Sequence, residues 1–159
     1  MVDVTILAMS EDQGWLASFW SAARRLKGSR LVLTGSMDEA FDLLDCAGAR
    51  LLVLDRKATT FTLEQLDRLL WANSTLVHPA SVLVIDRTYS AEVALTLFQM
   101  GVDDYLCSSL PAPRLAAIVS QLVNETQQSE SLPGPALPAY QRMALGPTPG
   151  SVRPAVALA

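Results

Sequence analysis

Five short apolar runs, separated by stretches with helical periodicity, constrain the fold of this 159-residue chain more than any other feature. Most of the runs are continuously apolar rather than alternating, which is typical of parallel strands covered on both faces. Strands that alternate with helices predict a doubly wound α/β domain with a five-stranded parallel sheet and five helices. The runs are Val4–Met9, Leu31–Leu33, Leu51–Leu54, Val82–Ile85 and Tyr105–Cys107.

The segments between these runs carry start and stop signals for helices. Ser36–Glu39 and Thr62–Gln65 have the spacing of capping boxes. Ser90 is expected to cap a helix that ends at Gly101, and Pro113 fits the first turn of another. The first helix is predicted from an apolar stripe at helical spacing, which consists of Trp15, Phe19, Ala22, Ala23 and Leu26.

Composition excludes several classes of function. The chain carries 12 basic and 16 acidic residues, a net charge of −4, without a basic cluster. A nucleic-acid surface needs such a cluster, so no nucleic-acid partner is expected. No apolar stretch is long enough to cross a bilayer, and the two cysteines lack metal-ligand spacing. We therefore expect a cytoplasmic protein without a membrane partner.

The composition changes near the C-terminus. Residues 1–128 contain all the alternating apolar and helical patterns, and residues 129–159 are rich in Pro, Gly and Ala without a sustained period. Such a segment buries too little apolar surface to offset its ordering entropy. We predict one domain over 1–128 and a flexible tail over 129–159, in which 137–145 could be recognised as an extended peptide.

Polar and charged residues follow the strands at the edge where ligands bind in doubly wound sheets. Acids that leave the first and third strands can converge there, and carboxylates suit a hard cation such as Mg²⁺. The strand-end segments are Ser10–Asp12, Asp55–Lys57, Asp86–Thr88 and Cys107–Ser109.

Three segments, "ILAMSED", "LLVLD" and "GVDDYLCSSL", together resemble the receiver domain of two-component response regulators. The resemblance covers roughly residues 3–127. It implies a flavodoxin-like sheet with strand order 2-1-3-4-5. It also implies transfer of a phosphoryl group to an aspartate with the help of Mg²⁺, a lysine and a Ser/Thr switch residue.

Carried over residue by residue, the resemblance places Asp55 at the phosphoacceptor and the carbonyl of Lys57 at a metal-ligand position. Tyr105 falls on the switch aromatic residue. The Ser/Thr switch falls on Asp86, and the lysine is lost to Ser108.

The acidic pair of the family can be placed in two frames. Direct alignment gives Ser10 and Glu11, whereas a shift of one residue gives Glu11 and Asp12. In the second frame a Mg²⁺ site would be formed by Glu11, Asp12, Asp55 and the carbonyl of Lys57. Both frames stay open at this stage.

The departures from the family pattern disfavour ordinary phosphorylation. A cation is lost at Ser108, and Asp86 adds a negative charge. Two unit charges about 4 Å apart interact by about 4 kcal/mol at an effective dielectric of about 20. Arg56 and Arg87 each follow a strand-end acid, and either could fold back onto Asp55 or Asp86 and replace the lost cation. The pair we expect is Arg87 with Asp55.

Three hypotheses follow. The first is an atypical, or pseudo-, receiver that acts as a protein-interaction signalling module. It is not an enzyme and requires no cofactor. Its partner would be a histidine kinase or an output protein in trans, and a homodimer would form through the fourth helix, fifth strand and fifth helix. The second is a phosphorylatable receiver that uses Asp55 and Mg²⁺. The third is a flavodoxin-like small-ligand binder.

Overall fold

The computed structural model describes residues 3–57 and 60–131 and has the predicted fold class. Five parallel strands form one sheet in the order β2-β1-β3-β4-β5. The strands are β1 (Val4–Met9), β2 (Ser29–Thr34), β3 (Ala49–Asp55), β4 (Ser81–Asp86) and β5 (Asp104–Cys107). The helices are α1 (Gln13–Ala23), α2 (Met37–Cys46), α3 (Leu63–Ser74), α4 (Ala91–Met100) and α5 (Ala112–Ser131).

Two helical layers cover the sheet, and this explains the continuous apolar runs. In β3, Leu51 and Val53 face the core formed with α1 and α5. Leu52 and Leu54 face the core formed with α2, α3 and α4. Successive residues of a strand point to opposite faces, so a strand buried on both faces needs apolar residues at every position.

Side chains and glycines fix the helix ends as the sequence predicts, with one difference. Thr62 and Gln65 form the reciprocal capping box of α3. Ser36 accepts from the Glu39 backbone N–H, but the Glu39 carboxylate accepts from Gly35 N–H at 2.7 Å. Each of these helices follows a strand through a short loop, so the caps fix where the helices begin near the carboxyl edge of the sheet.

The last helix continues through Ser131, three residues beyond the predicted domain boundary at 128. The rest of the predicted tail, including 137–145, lies outside the described residues, so the tail stays a prediction. None of the helices within 3–57 and 60–131 is long and apolar enough to cross a membrane.

Candidate functional site

Asp55 is the last residue of the central strand β3, and its carboxylate is fully buried. Oδ2 accepts from the Ser10 hydroxyl at 2.5 Å and from Lys57 Nζ at 2.9 Å. Oδ1 accepts from the backbone N–H of Lys57 at 3.1 Å. A buried carboxylate requires such partners, because burying a charge without them is costly. Both oxygens of Asp55 are therefore engaged by the chain itself.

The Lys57 ammonium lies between two carboxylates at the end of the sheet. Its Nζ is 2.8 Å from Asp12 Oδ2 and 2.9 Å from Asp55 Oδ2. The Trp15 ring lies 5.2 Å from the same nitrogen, so an aromatic face covers the cation. The Lys57 side chain is 8% exposed, which makes it a buried charge bridging β1 and β3.

These contacts shift two pKa values in opposite directions. Burial alone would lower the pKa of Lys57, but its hydrogen bonds to Asp12 and Asp55 outweigh burial and raise the pKa. The pKa of Asp12 is lowered, chiefly by the hydrogen bond from Lys57 and also by that from the Trp15 N–H. The cation and this carboxylate thus stabilise each other's charged forms.

At the end of β1 the structure selects neither of the two predicted acidic pairs. Ser10 is buried and binds Asp55, whereas Glu11 is exposed. Asp12 is the N-cap of α1, because its Oδ1 accepts from Trp15 N–H at 2.9 Å, and its other oxygen faces Lys57. Ser10 and Asp12 therefore both contact the site, and Glu11 between them is exposed.

The residues predicted to bind Mg²⁺ do not fit that ion in this arrangement. Glu11 is exposed, and the two remaining carboxylates, Asp12 and Asp55, already share the Lys57 ammonium. Among the residues the structure describes, no group of three or more acids, histidines or cysteines could hold a metal ion. A divalent cation would have to displace the ammonium to reach both carboxylates.

Asp86, at the end of β4, is held by three donors. Its Oδ2 accepts from Arg56 Nη1 at 3.0 Å and from the Tyr105 hydroxyl at 3.1 Å. Its Oδ1 accepts from the backbone N–H of Arg87 at 2.8 Å. Tyr105 is 2% exposed, so the predicted switch aromatic residue points into the protein. At the predicted switch position, the carboxylate is therefore bonded to the aromatic hydroxyl.

The predicted ion pair between Arg87 and Asp55 is wrong, because Lys57 provides the cation beside Asp55. The exposed Arg87 side chain leaves the strand end, and Arg56 pairs with Asp86 instead. The backbone explains this choice, because Arg56 N–H donates to Ile85 O at 2.8 Å and continues the β3–β4 ladder. Arg56 thereby lies opposite the next residue of β4, Asp86.

Sequence reasoning assigned only the backbone carbonyl of Lys57 and missed its side chain. One signal was present: Lys57 is the cation two residues after a buried strand-end acid, at the edge where a second acid leaves β1. Ser108, the position of the lost lysine, is half-buried, and its N–H donates to Asp86 O at 2.8 Å. The cation of the site is therefore Lys57, just after β3, and not a lysine after β5.

We predict that Asp12→Asn makes the fold less sensitive to acid. The pKa of Asp12 is below its ordinary 3.8 in the folded protein. Its carboxylate therefore contributes stability above pH 3.8, and this contribution is lost as the pH falls through the lowered value. Asparagine caps helices as well as aspartate does, so α1 keeps its cap.

Urea unfolding at neutral pH and below pH 3.8 measures this effect. The wild type should lose more stability on acidification than Asp12→Asn does. An equal loss in both proteins would show that the bond between Asp12 and Lys57 does not contribute to the fold. At the alkaline end the sign reverses. The pKa of Lys57 is raised above 10.5, so its contribution is present below that pH and is lost as the pH rises through the raised value.

The sequence matches no protein-family model and no curated protein, but solved structures share the fold. A signal receiver domain assigned to a LuxO repressor protein from Vibrio parahaemolyticus has a TM-score of 0.71 at 17% identity, covering 84% of this chain and 99% of its own. A CheY-like response regulator receiver domain protein from Methanospirillum hungatei has a TM-score of 0.64 at 16% identity, covering 80% of this chain and 98% of its own.

HP1043, an orphan response regulator of H. pylori, has a TM-score of 0.63 at 18% identity, covering 76% of this chain and 96% of its own. At such low identities the likeness establishes the architecture and not the chemistry. The strand order 2-1-3-4-5 and the five helices are those of the CheY-like fold. This chain therefore has the CheY-like receiver fold of response regulators.

Proposed function

We propose that this chain is an atypical receiver, a protein-interaction signalling module that is not switched by standard phosphorylation of Asp55. The observation that carries the proposal is that both oxygens of the Asp55 carboxylate accept hydrogen bonds within the chain, from Ser10 and from the backbone and side chain of Lys57. An attacking carboxylate oxygen must be free to approach phosphorus in line with the leaving group. Here that oxygen is buried and bonded within the chain.

The position of Lys57 supports a receiver that does not require a metal ion. Catalysis of phosphoryl transfer depends on cations that neutralise the incoming oxygens. The Lys57 ammonium neutralises the two carboxylates that a divalent ion would use, at 2.8 and 2.9 Å. An ammonium carries one charge rather than two, and two acids already share it. Little positive charge is left for a phosphoryl group.

Asp86 supports the same proposal. A phosphoryl group carries nearly two negative charges, and a hydroxyl donor at this position would stabilise it. The Asp86 side chain instead offers a carboxylate whose donors are Arg56 and Tyr105. These bonds neutralise Asp86 but leave it without a proton to donate. The phosphorylated state would therefore lack both its lysine and its hydroxyl partner.

A protein partner in trans and a homodimer through α4, β5 and α5 belong to this proposal. On that face Leu97 and Tyr105 are buried in the core, and Val93 is half-buried. Among the described residues, the exposed large hydrophobic side chains at or next to this face are Leu95 of α4, at 60%, and Tyr89, just before α4, at 59%. We expect a contact through this face to bury these two. One neighbour of the same fold, HP1043, is described as an orphan response regulator.

Incubation with acetyl phosphate and Mg²⁺, followed by intact-mass measurement, tests the proposal. We expect no phosphoryl adduct on the full chain. An adduct that disappears in Asp55→Asn would contradict the proposal and favour the phosphorylatable receiver instead. Beryllofluoride with Mg²⁺ should likewise leave the NMR signals of Ser10 and Lys57 unchanged. Nucleotide released when the purified protein is denatured would favour the small-ligand alternative.

A further inference from the structure

A continuous series of contacts runs from the loop after β3 to an exposed aromatic ring before α4. Arg56 Nη1 binds Asp86 Oδ2 at 3.0 Å, and the same oxygen accepts from the Tyr105 hydroxyl at 3.1 Å. The Tyr105 hydroxyl also lies 3.2 Å from the Thr88 carbonyl. The Tyr105 ring lies 5.3 Å from the Tyr89 ring at an interplanar angle of 33°.

The members of this series differ sharply in exposure. Tyr105 is 2% exposed, whereas Tyr89 is 59% exposed and immediately precedes Ser90, the N-cap of α4. The Asp86 side chain is 21% exposed and the Arg56 side chain 37% exposed. The series thus begins at the partly exposed strand edge, passes through a buried phenol and ends at a surface ring.

We infer that Arg56 is a positioning residue, which holds Tyr105 inside the protein through Asp86 and thereby supports the exposed ring of Tyr89 without any phosphoryl group. A carboxylate held by a guanidinium is a stronger acceptor for a phenol than a neutral oxygen is. The Thr88 carbonyl is a second acceptor within reach of the same hydroxyl proton. A buried phenol needs such partners, and this chain supplies them permanently.

This role is separate from the chemistry of Asp55. Lys57 holds Asp55, and the adjacent residue Arg56 holds Asp86. The position of Tyr105 therefore depends on the second pair whether or not Asp55 accepts phosphate. The two proposals can fail independently, because one is tested by a phosphoryl adduct and the other in the unmodified protein.

NMR of the full chain with ¹³C-labelled tyrosine tests the inference, since the chain has three tyrosines. Single Tyr→Phe variants assign the ring signals of Tyr89, Tyr105 and Tyr140. Arg56→Ala should shift the signals of both Tyr89 and Tyr105. Arg56→Lys should restore them in part. Arg87→Ala is the matched control, because Arg87 binds Asp86 through its backbone N–H, and it should leave both signals in place.

A pH titration of the Tyr105 signal distinguishes release of the ring to solvent from the mere loss of the Arg56 charge. Burial raises the pKa of Tyr105 above its ordinary 10.0, and the negative charge of Asp86 and the hydrogen bond to it raise the pKa further. The positive charge of Arg56 lowers it. If Tyr105 stayed in place, Arg56→Ala would raise the pKa of Tyr105 further. If the ring is released to solvent, as we infer, the pKa falls toward 10.0.

A second variant covers the case in which Arg56→Ala unfolds the protein. Tyr105→Phe keeps the apolar ring but removes both hydroxyl bonds, and it should shift and broaden the Tyr89 signal. The inference is overturned if Arg56→Ala leaves the Tyr105 signal in place or raises its pKa. It is also overturned if the Tyr89 signal is the same in Tyr105→Phe as in the wild type.

Discussion

Lys57→Met is expected to lower the free energy of unfolding by about 3 kcal/mol, because removing one partner of a buried ion pair leaves the other charge uncompensated. Asp55 is fully buried and would keep only the Ser10 hydroxyl and the Lys57 backbone N–H as donors. Methionine has nearly the volume of the lysine stem, so packing against Trp15 changes little. Most of the loss therefore measures the charge at Asp55.

Chemical denaturation at neutral pH measures this loss, and two variants serve as controls. Arg87→Met removes a nearby cation whose side chain is exposed and should cost less than about 1 kcal/mol. Asp55→Asn combined with Lys57→Met should recover most of the stability, because the uncompensated charge is gone. A Lys57→Met loss no larger than that of Arg87→Met would contradict the bridging role of Lys57.

The same variant should acquire a response to divalent ions. Without the ammonium, the carboxylates of Asp12 and Asp55 face each other at the end of the sheet with no cation between them. A hard cation with oxygen ligands suits that position. Added Mg²⁺ should raise the thermal midpoint of Lys57→Met and leave the wild type unaffected, because any ligand of the folded state stabilises it.

The fold was predictable because its determinants are local and repeated. The continuous apolar runs within β1, β3 and β4 require cover on both faces, and a helical layer on each side provides it. Cap residues such as Thr62 and Gly101 then locate the helix ends within a residue or two. None of these inferences depends on where a particular side chain points.

The site was predictable in position but not in pairing. Convergence of the strand ends followed from topology, and Asp55 lies where the sequence placed it. Which cation reaches which acid depends on side-chain direction at the strand ends, and a shift of one residue reverses that direction. Lys57 therefore reaches Asp55, and Arg56 reaches Asp86, although the sequence favoured Arg87 for Asp55.

Rebuilding the site with four substitutions should convert this chain, on which we expect no phosphoryl adduct, into one that is phosphorylated by acetyl phosphate and Mg²⁺. Ser10→Asp adds a second acid beside Asp12 at the end of β1, and Lys57→Asn removes the competing ammonium. Asp86→Thr and Ser108→Lys restore the hydroxyl and the lysine. The first two changes make room for Mg²⁺ among acids, and the other two supply a hydroxyl and an ammonium for the phosphoryl oxygens.

Intact mass with and without Mg²⁺ measures the result, and Asp55→Asn in the rebuilt chain should abolish the adduct. The decisive control retains Lys57 and carries only the other three substitutions. If the ammonium occupies the position of the divalent ion, this three-substitution chain should show a much smaller Mg²⁺ response. Equal phosphorylation of the two chains would mean that Lys57 leaves when metal and phosphate arrive. The block would then lie at Ser10, Asp86 or Ser108, and the geometry at Asp55 would describe only the resting protein.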